Sequence, residues 1–174
     1  MADDKKEKWL NWLALTTLIF SAAATLGSSK AGGYSNKAMS EQILASDQWA
    51  FYQAKSIKQH TFELQREALT LAMLPAAEPV QAKYKETIER IAKDVSRYDA
   101  EKKEIKSSAS DHEKNRDVSA KYAALFGRAV LYLQVTIIIS ALGALMKKRP
   151  LWLISFVPGI TGMVYFIRAF WLTW

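Results

Sequence analysis

Residues 75–79 read "PAAEP", and two prolines four positions apart close one helix and open the next. On either side the chain is free of helix breakers for a long way. No glycine or proline lies between Ser35 and Leu74, and none between Gln81 and Phe126. At 1.5 Å per residue the arms 35–74 and 79–122 are about 60 Å and 65 Å long. Matched arms on one sharp turn predict a helical hairpin, the returning arm running on without interruption past residue 122.

The apolar period refines this. In the first arm Ile43, Ala50, Ile57, Leu64 and Leu71 recur every seven residues, with Asp47, Ala54, Thr61 and Ala68 four positions after them. In the second arm Tyr84, Ile88, Ile91, Val95, Tyr98, Lys102, Ile105 and Ala109 alternate steps of four and three. A sustained 3.5-residue period in both arms predicts an antiparallel coiled coil with these rows in its seam. Pairing about Ala77 sets His112 opposite Gln42 and within about one turn of Asp47. A core carboxylate needs a partner, so a buried polar pair of Asp47 with His112 or Arg116 is expected. Because histidine titrates near neutral pH, the same group raises a pH-sensor role.

That phase leaves three aromatics unexplained. Trp49, Phe51 and Tyr52 lie off the chosen stripe and point in three other directions, while Phe62 extends the Phe51 side. With Lys55 at their rim they predict an aromatic contact surface for a neighbouring hairpin or another protein.

Outward from the hairpin lie three apolar runs. They read "WLNWLALTTLIFSAAATL" from Trp9, "AALFGRAVLYLQVTIIISALGALM" from Ala123 and "LWLISFVPGITGMVYFIRAFWLTW" from Leu151. Each reaches or approaches the about 20 residues that cross a bilayer core. The predicted class is therefore an all-α membrane protein with three transmembrane helices. Its parts are a tail 1–8, spans 9–29, 123–146 and 151–174, an extramembrane hairpin 30–122 and a basic loop 147–150. The first run is read as a retained anchor, since Asp3, Asp4 and Glu7 dilute the basic start that a signal peptide needs. "GSSKAGG" at 27–33 is expected to break the helix as it leaves the first span. Trp152, Trp171 and Trp174 are expected interfacial anchors. "PGITG" at 158–162 predicts a kink and a small-residue surface for close helix packing.

The net charge of +7 does not point to nucleic acid. Residues 30–121 hold 16 Lys and Arg against 14 Asp and Glu, so the surplus sits in or beside the spans. Lys5, Lys6, Lys8 and "KKRP" at 147–150 fall on one side of a three-span topology, which the positive-inside rule makes cytoplasmic. The hairpin then faces the periplasm. Arg128 and Arg168 lie near span ends and can snorkel, and Gln134 is the strongly polar residue deepest in its span.

Catalytic signatures are missing. There is no phosphate-cradling glycine loop, nucleophile elbow or His-Glu-x-x-His pair, and zero cysteines exclude disulfides and thiolate metal sites. His60 and His112 stand on different arms, and "HTFE" at 60–63 reverses the order a di-iron bundle uses. A non-enzymatic chain without cofactor, metal or small-molecule ligand is expected.

The string Ser46, Asp47, Gln48, Trp49, Ala50, Tyr52, Gln53, Ala54, Lys55, set after an N-terminal span and a glycine-rich break, resembles the bacterial membrane-protein family known as domain of unknown function 4337. The resemblance covers essentially the whole chain. It implies the architecture above and a bacterial inner-membrane setting, and brings no activity with it. The function expected is a scaffold, homo-oligomeric or an accessory subunit of a membrane complex. The alternatives are an oligomeric channel or transport-associated assembly and, less favoured, a pH or envelope sensor.

Overall fold

The computed structural model describes residues 2–173, with side chains from residue 8 onward. Three helices account for nearly all of them: α1 (Ala2–Met73), α2 (Glu78–Leu145) and α3 (Arg149–Leu172), with no strand among the described residues. Each contains a stretch long and apolar enough to cross a membrane. The chain divides into two compact units, Met1–Met39 with Arg116–Trp174, and Ser40–Asn115.

α1 corrects one expectation. It runs without a break through "GSSKAGG", which is helical throughout. Glycine costs about 1 kcal/mol against alanine inside a helix, but a helix already formed on both sides needs no second nucleation. Gly27 also has a packing use, because a Cβ there would meet Val130 Cγ2 at 3.0 Å. α2 is likewise continuous from the turn into its apolar stretch, as the sequence predicts.

The first unit packs parts of α1 and α2 against α3. Phe20, Ala23, Ala24 and Leu133 are buried together, with Ile137, Phe156 and Met163 against them. The small residues of "PGITG" let α3 approach closely. A Cβ on Gly159 would meet Phe20 Cζ at 2.8 Å, and one on Gly162 would meet Leu133 N at 3.0 Å and Ala129 O at 3.1 Å. Pro158 sits inside α3 beside this contact. Two hydroxyls close the polar gaps, with Ser140 Oγ and Ser155 Oγ 2.9 Å apart in a buried position. Outside this core the apolar stretches expose Leu18, Leu26, Leu131, Ile138, Val157 and Ile160.

Two turns join the helices. At the first, Ala76 O accepts from the Gln81 side-chain amide at 2.9 Å and Ala77 O from Gln81 N at 3.0 Å, while Pro79 occupies the first turn of α2. At the second, Lys147 has φ 52°, the left-handed conformation that ends a helix, and Lys148 N donates to Gly143 O at 3.0 Å.

In the 40–115 unit α1 and α2 meet along facing rows. As residue number rises on α1 it falls on α2: Glu41 meets His112, Lys55 meets Glu101, and Phe62 meets Tyr98. On α2 the row is the one the sequence predicts. Ile91 and Ala109 are buried, and Tyr84, Ile88, Val95, Tyr98, Lys102 and Ile105 are half-buried.

On α1 the phase differs by two residues. The inward rows are Glu41, Gln48, Lys55, Phe62, Leu69 and Ala45, Tyr52, Gln59, Arg66, Met73, all buried or half-buried except Arg66, which is exposed. The expected seam of Ile43, Ala50, Ile57, Leu64 and Leu71 is exposed along its whole length. A shift of two residues turns a helix by about 200°, so the predicted inner stripe is the outer one.

Candidate functional site

The stretch around Trp49 is where the polar and aromatic side chains of the 40–115 unit converge. The corrected phase explains most of its aromatics. Tyr52 is half-buried in the inward row, with its ring 5.6 Å from that of Trp49 and Lys102 Nζ 5.5 Å over its face. Phe62, also inward, stacks on Tyr98 at 5.8 Å with planes 24° apart. Trp49 is half-buried and its indole N–H donates to Glu113 Oε1 at 2.9 Å. Phe51 alone of this group is exposed. The expected collar of Trp49, Phe51, Tyr52, Lys55 and Phe62 thus has three members facing α2, a fourth bonded to it, and one facing out.

Lys55 is the electrostatic centre. Its ammonium donates to Glu101 Oε2 at 2.5 Å and lies 5.2 Å from the Tyr98 ring centroid and 5.7 Å from that of Phe51. Arg97 reaches the other oxygen of Glu101 at 3.5 Å and Asp94 at 3.1 Å. The hydrogen bond from Lys55, outweighing the partial loss of water and helped by the charges of Lys55, Arg97 and Lys58, holds the Glu101 carboxyl below the usual glutamate range.

The expected polar pair is replaced by another. His112 Nδ1 lies 2.7 Å from Glu41 Oε2, and both side chains are largely shielded. Asp47 is exposed, being on the outer face once the phase is corrected. Arg116 belongs to the other unit, where its guanidinium bridges to Asp117 at 2.8 Å. Glu41, Glu101 and Glu113 are the partners that sequence reasoning missed. Their signal was present: each lies on or beside a row of period 3.5 that also holds Phe62 on α1 or Tyr98 on α2. One acceptor in this seam is left over, since Gln59 Oε1 is buried without a hydrogen-bond partner while its Nε2 donates to Glu63.

In the first unit, the indole N–H of Trp152 donates to Thr16 Oγ1 at 3.2 Å, and its ring packs on Trp9 and Phe156. Trp171 is exposed, and Trp174 lies outside the described residues. Grooves on this unit's surface include two with polar linings. One, of about 420 Å³, is lined by Ser21, Thr25, Ser28, Ser29 and Gln134 with Ala24 and Ile137. The other sets Arg128 beside the stacked rings of Tyr132 and Tyr165. Among the described residues no group of three or more His, Asp or Glu is arranged to hold a metal ion.

These features define an all-helical protein of three long helices, each apolar enough to cross a membrane, with a polar-aromatic helix pair between the first apolar stretch and the second. The chain belongs to the family described as "Domain of unknown function (DUF4337)", whose model matches residues 9–172. No curated protein and no solved structure matches the chain.

Proposed function

We propose that the chain is a non-enzymatic membrane scaffold of the bacterial inner membrane, self-assembling or serving as an accessory subunit of a larger membrane complex. Its three apolar stretches cross the bilayer, and residues 40–115 form an antiparallel coiled-coil hairpin on the periplasmic side. The observation that carries this reading is where the chemistry of the 40–115 unit goes. Lys55 is bound to Glu101, His112 to Glu41 and Trp49 to Glu113, each across the two helices. Side chains spent in this way make a specific, rigid helix pair. The apolar outer surface of the other unit suits lipid.

Native mass spectrometry of the chain extracted gently from its own membranes tests this. A multiple of 19.6 kDa, or stable co-extraction with other membrane chains, is expected. A free monomer, or release of the chain by alkaline carbonate, refutes it.

A second reading, an oligomeric channel, is favoured by the hydroxyl-lined groove at Gln134. Several copies presenting Ser21, Thr25, Ser28 and Gln134 to one axis would line a polar path. Reconstituted liposomes separate the two: a channel loses or changes ion flux on Gln134→Leu, whereas a scaffold supports none.

A further inference from the structure

The 40–115 unit buries the less apolar of the two faces that α1 offers. Its inward rows hold Glu41, Gln48, Lys55 and Gln59 among the aromatics. The outer row is entirely apolar: Ile43 is 54% exposed, Ile57 68%, Leu64 53% and Leu71 62%, with Ala50 exposed among them. The row beside it, Asp47, Ala54, Thr61 and Ala68, is small and has Asp47 as its only charge. Together they make a second heptad seam on one helix.

The spacing suits a helical occupant. A free amphipathic helix keeps its apolar stripe at 3.6 residues, and a strict seven-residue repeat drifts about 20° per heptad around it. This row holds the seven-residue step from Ile43 to Leu71, the step α1 also keeps on the side that faces α2, so the stripe stays in line along the outer face as a second helix would need.

The stripe also fits its own copy. It carries bulky Ile and Leu knobs in one row and small Ala54 and Ala68 in the next, so each copy supplies both knobs and room for them. Its borders carry one charge each, with Ser46, Gln53, His60 and Glu67 on one side and Leu44, Phe51, Lys58 and Gln65 on the other. With one charge of each sign, the borders favour no partner of strong net charge, and at the stripe itself only Asp47 opposes a like one in register. The four large side chains with Leu44 and Phe51 expose roughly 600 Å² of apolar surface per copy, near the about 800 Å² per partner of a standard interface. Chains inserted in one bilayer in the same sense enter this segment from the same side, so like positions lie level.

We propose that this outer stripe of α1, Ile43–Ala50–Ile57–Leu64–Leu71, is a self-docking surface on which a second copy of the chain packs in parallel and in register, Ile57 against Ile57. The proposal rests on the scaffold reading and names its contact face.

The natural chain has no cysteine, so single-cysteine variants report cleanly. Full-length Ile57→Cys, Leu71→Cys and Ser107→Cys, the last exposed on α2, are oxidised in native membranes. Dimers linked at 57 and at 71 but not at 107 are expected, and adding Leu64→Glu to the Ile57→Cys chain should cut its dimer fraction at least fivefold. Circular dichroism of the Leu64→Glu variant checks that helix content is kept, and a variant that loses it is replaced by Leu64→Gln. Linkage at 57 without 71 overturns the parallel register. Equal linkage at all three positions, none at 57, or capture of a different chain overturns the docking surface. If cross-linking fails while native mass spectrometry still shows an assembly, this face is wrong and the scaffold stands. A free monomer removes both.

Discussion

Single residues in this protein separate packing from propensity. Gly32 and Gly33 have nothing within 4 Å of a would-be Cβ, so alanine at either should raise stability by about 0.5–1 kcal/mol through helix propensity alone. Gly162→Ala should do the reverse, costing about 1–3 kcal/mol, because its Cβ would press on the backbone of Ala129 and Leu133, which cannot swing aside. Thermal unfolding of the detergent-solubilised chain, scored by helix content, distinguishes the two directions. Lys147 gives a third case. Its left-handed backbone favours glycine, so Lys147→Gly should be neutral or stabilising by up to about 1 kcal/mol in the same assay.

Between the helices, the Lys55–Glu101 pair sets an acid limit. The folded state holds Glu101 below its ordinary range, so its contribution is complete above that range and disappears as pH falls through the lowered value. Hydrogen-exchange protection in the 40–115 unit, taken relative to the intrinsic amide rate at each pH, should therefore fall as pH drops below about 4, and Glu101→Gln should flatten that part of the profile. A profile unchanged by Glu101→Gln would show that the pair contributes nothing. Phe62→Ala should cost about 1–2 kcal/mol by removing the stack on Tyr98, while Phe51→Ala should stay within about 0.5 kcal/mol in the isolated chain. Equal effects from the two would contradict the seam described here.

At this scale the sequence was half legible. Ile91, Val95, Tyr98, Ile105 and Ala109 are the clear apolar row of α2, and the structure uses them. α1 has two rows of period 3.5, and ranking them by hydrophobicity alone picks Ile57 and Leu64 over Phe62 and Tyr52. The aromatics and the charges that complement Glu101 and His112 decide the other way, and those partners lie some 46 to 71 residues off in the chain. The run through "GSSKAGG" failed for a related reason. Glycine content argues for a break only where a helix must begin again, and here it never stops.

For the whole molecule, the three apolar stretches were legible because each reaches or approaches the length that crosses a bilayer core. The topology proposed for them is open to direct test. Ser107→Cys should react with a membrane-impermeant maleimide in intact cells whose outer membrane has been permeabilised, whereas Lys148→Cys in the loop between α2 and α3 should react only after lysis. The opposite pattern would place residues 40–115 in the cytoplasm and reverse the orientation.

The tight turn after Met73 has a kinetic consequence. Contacts across the 40–115 unit span graded distances along the chain: 36 residues from Phe62 to Tyr98, 46 from Lys55 to Glu101, and 71 from Glu41 to His112. Loop closure costs least nearest the turn, so pairing should start there and propagate like a zip fastener. Substitutions near Leu69 should then slow folding, while those near Glu41 should mainly hasten unfolding. A ribosome releasing the chain from its N-terminal end would expose the whole first arm, outer stripe included, before its partner arm exists. The stripe proposed for self-docking is uncovered throughout that interval.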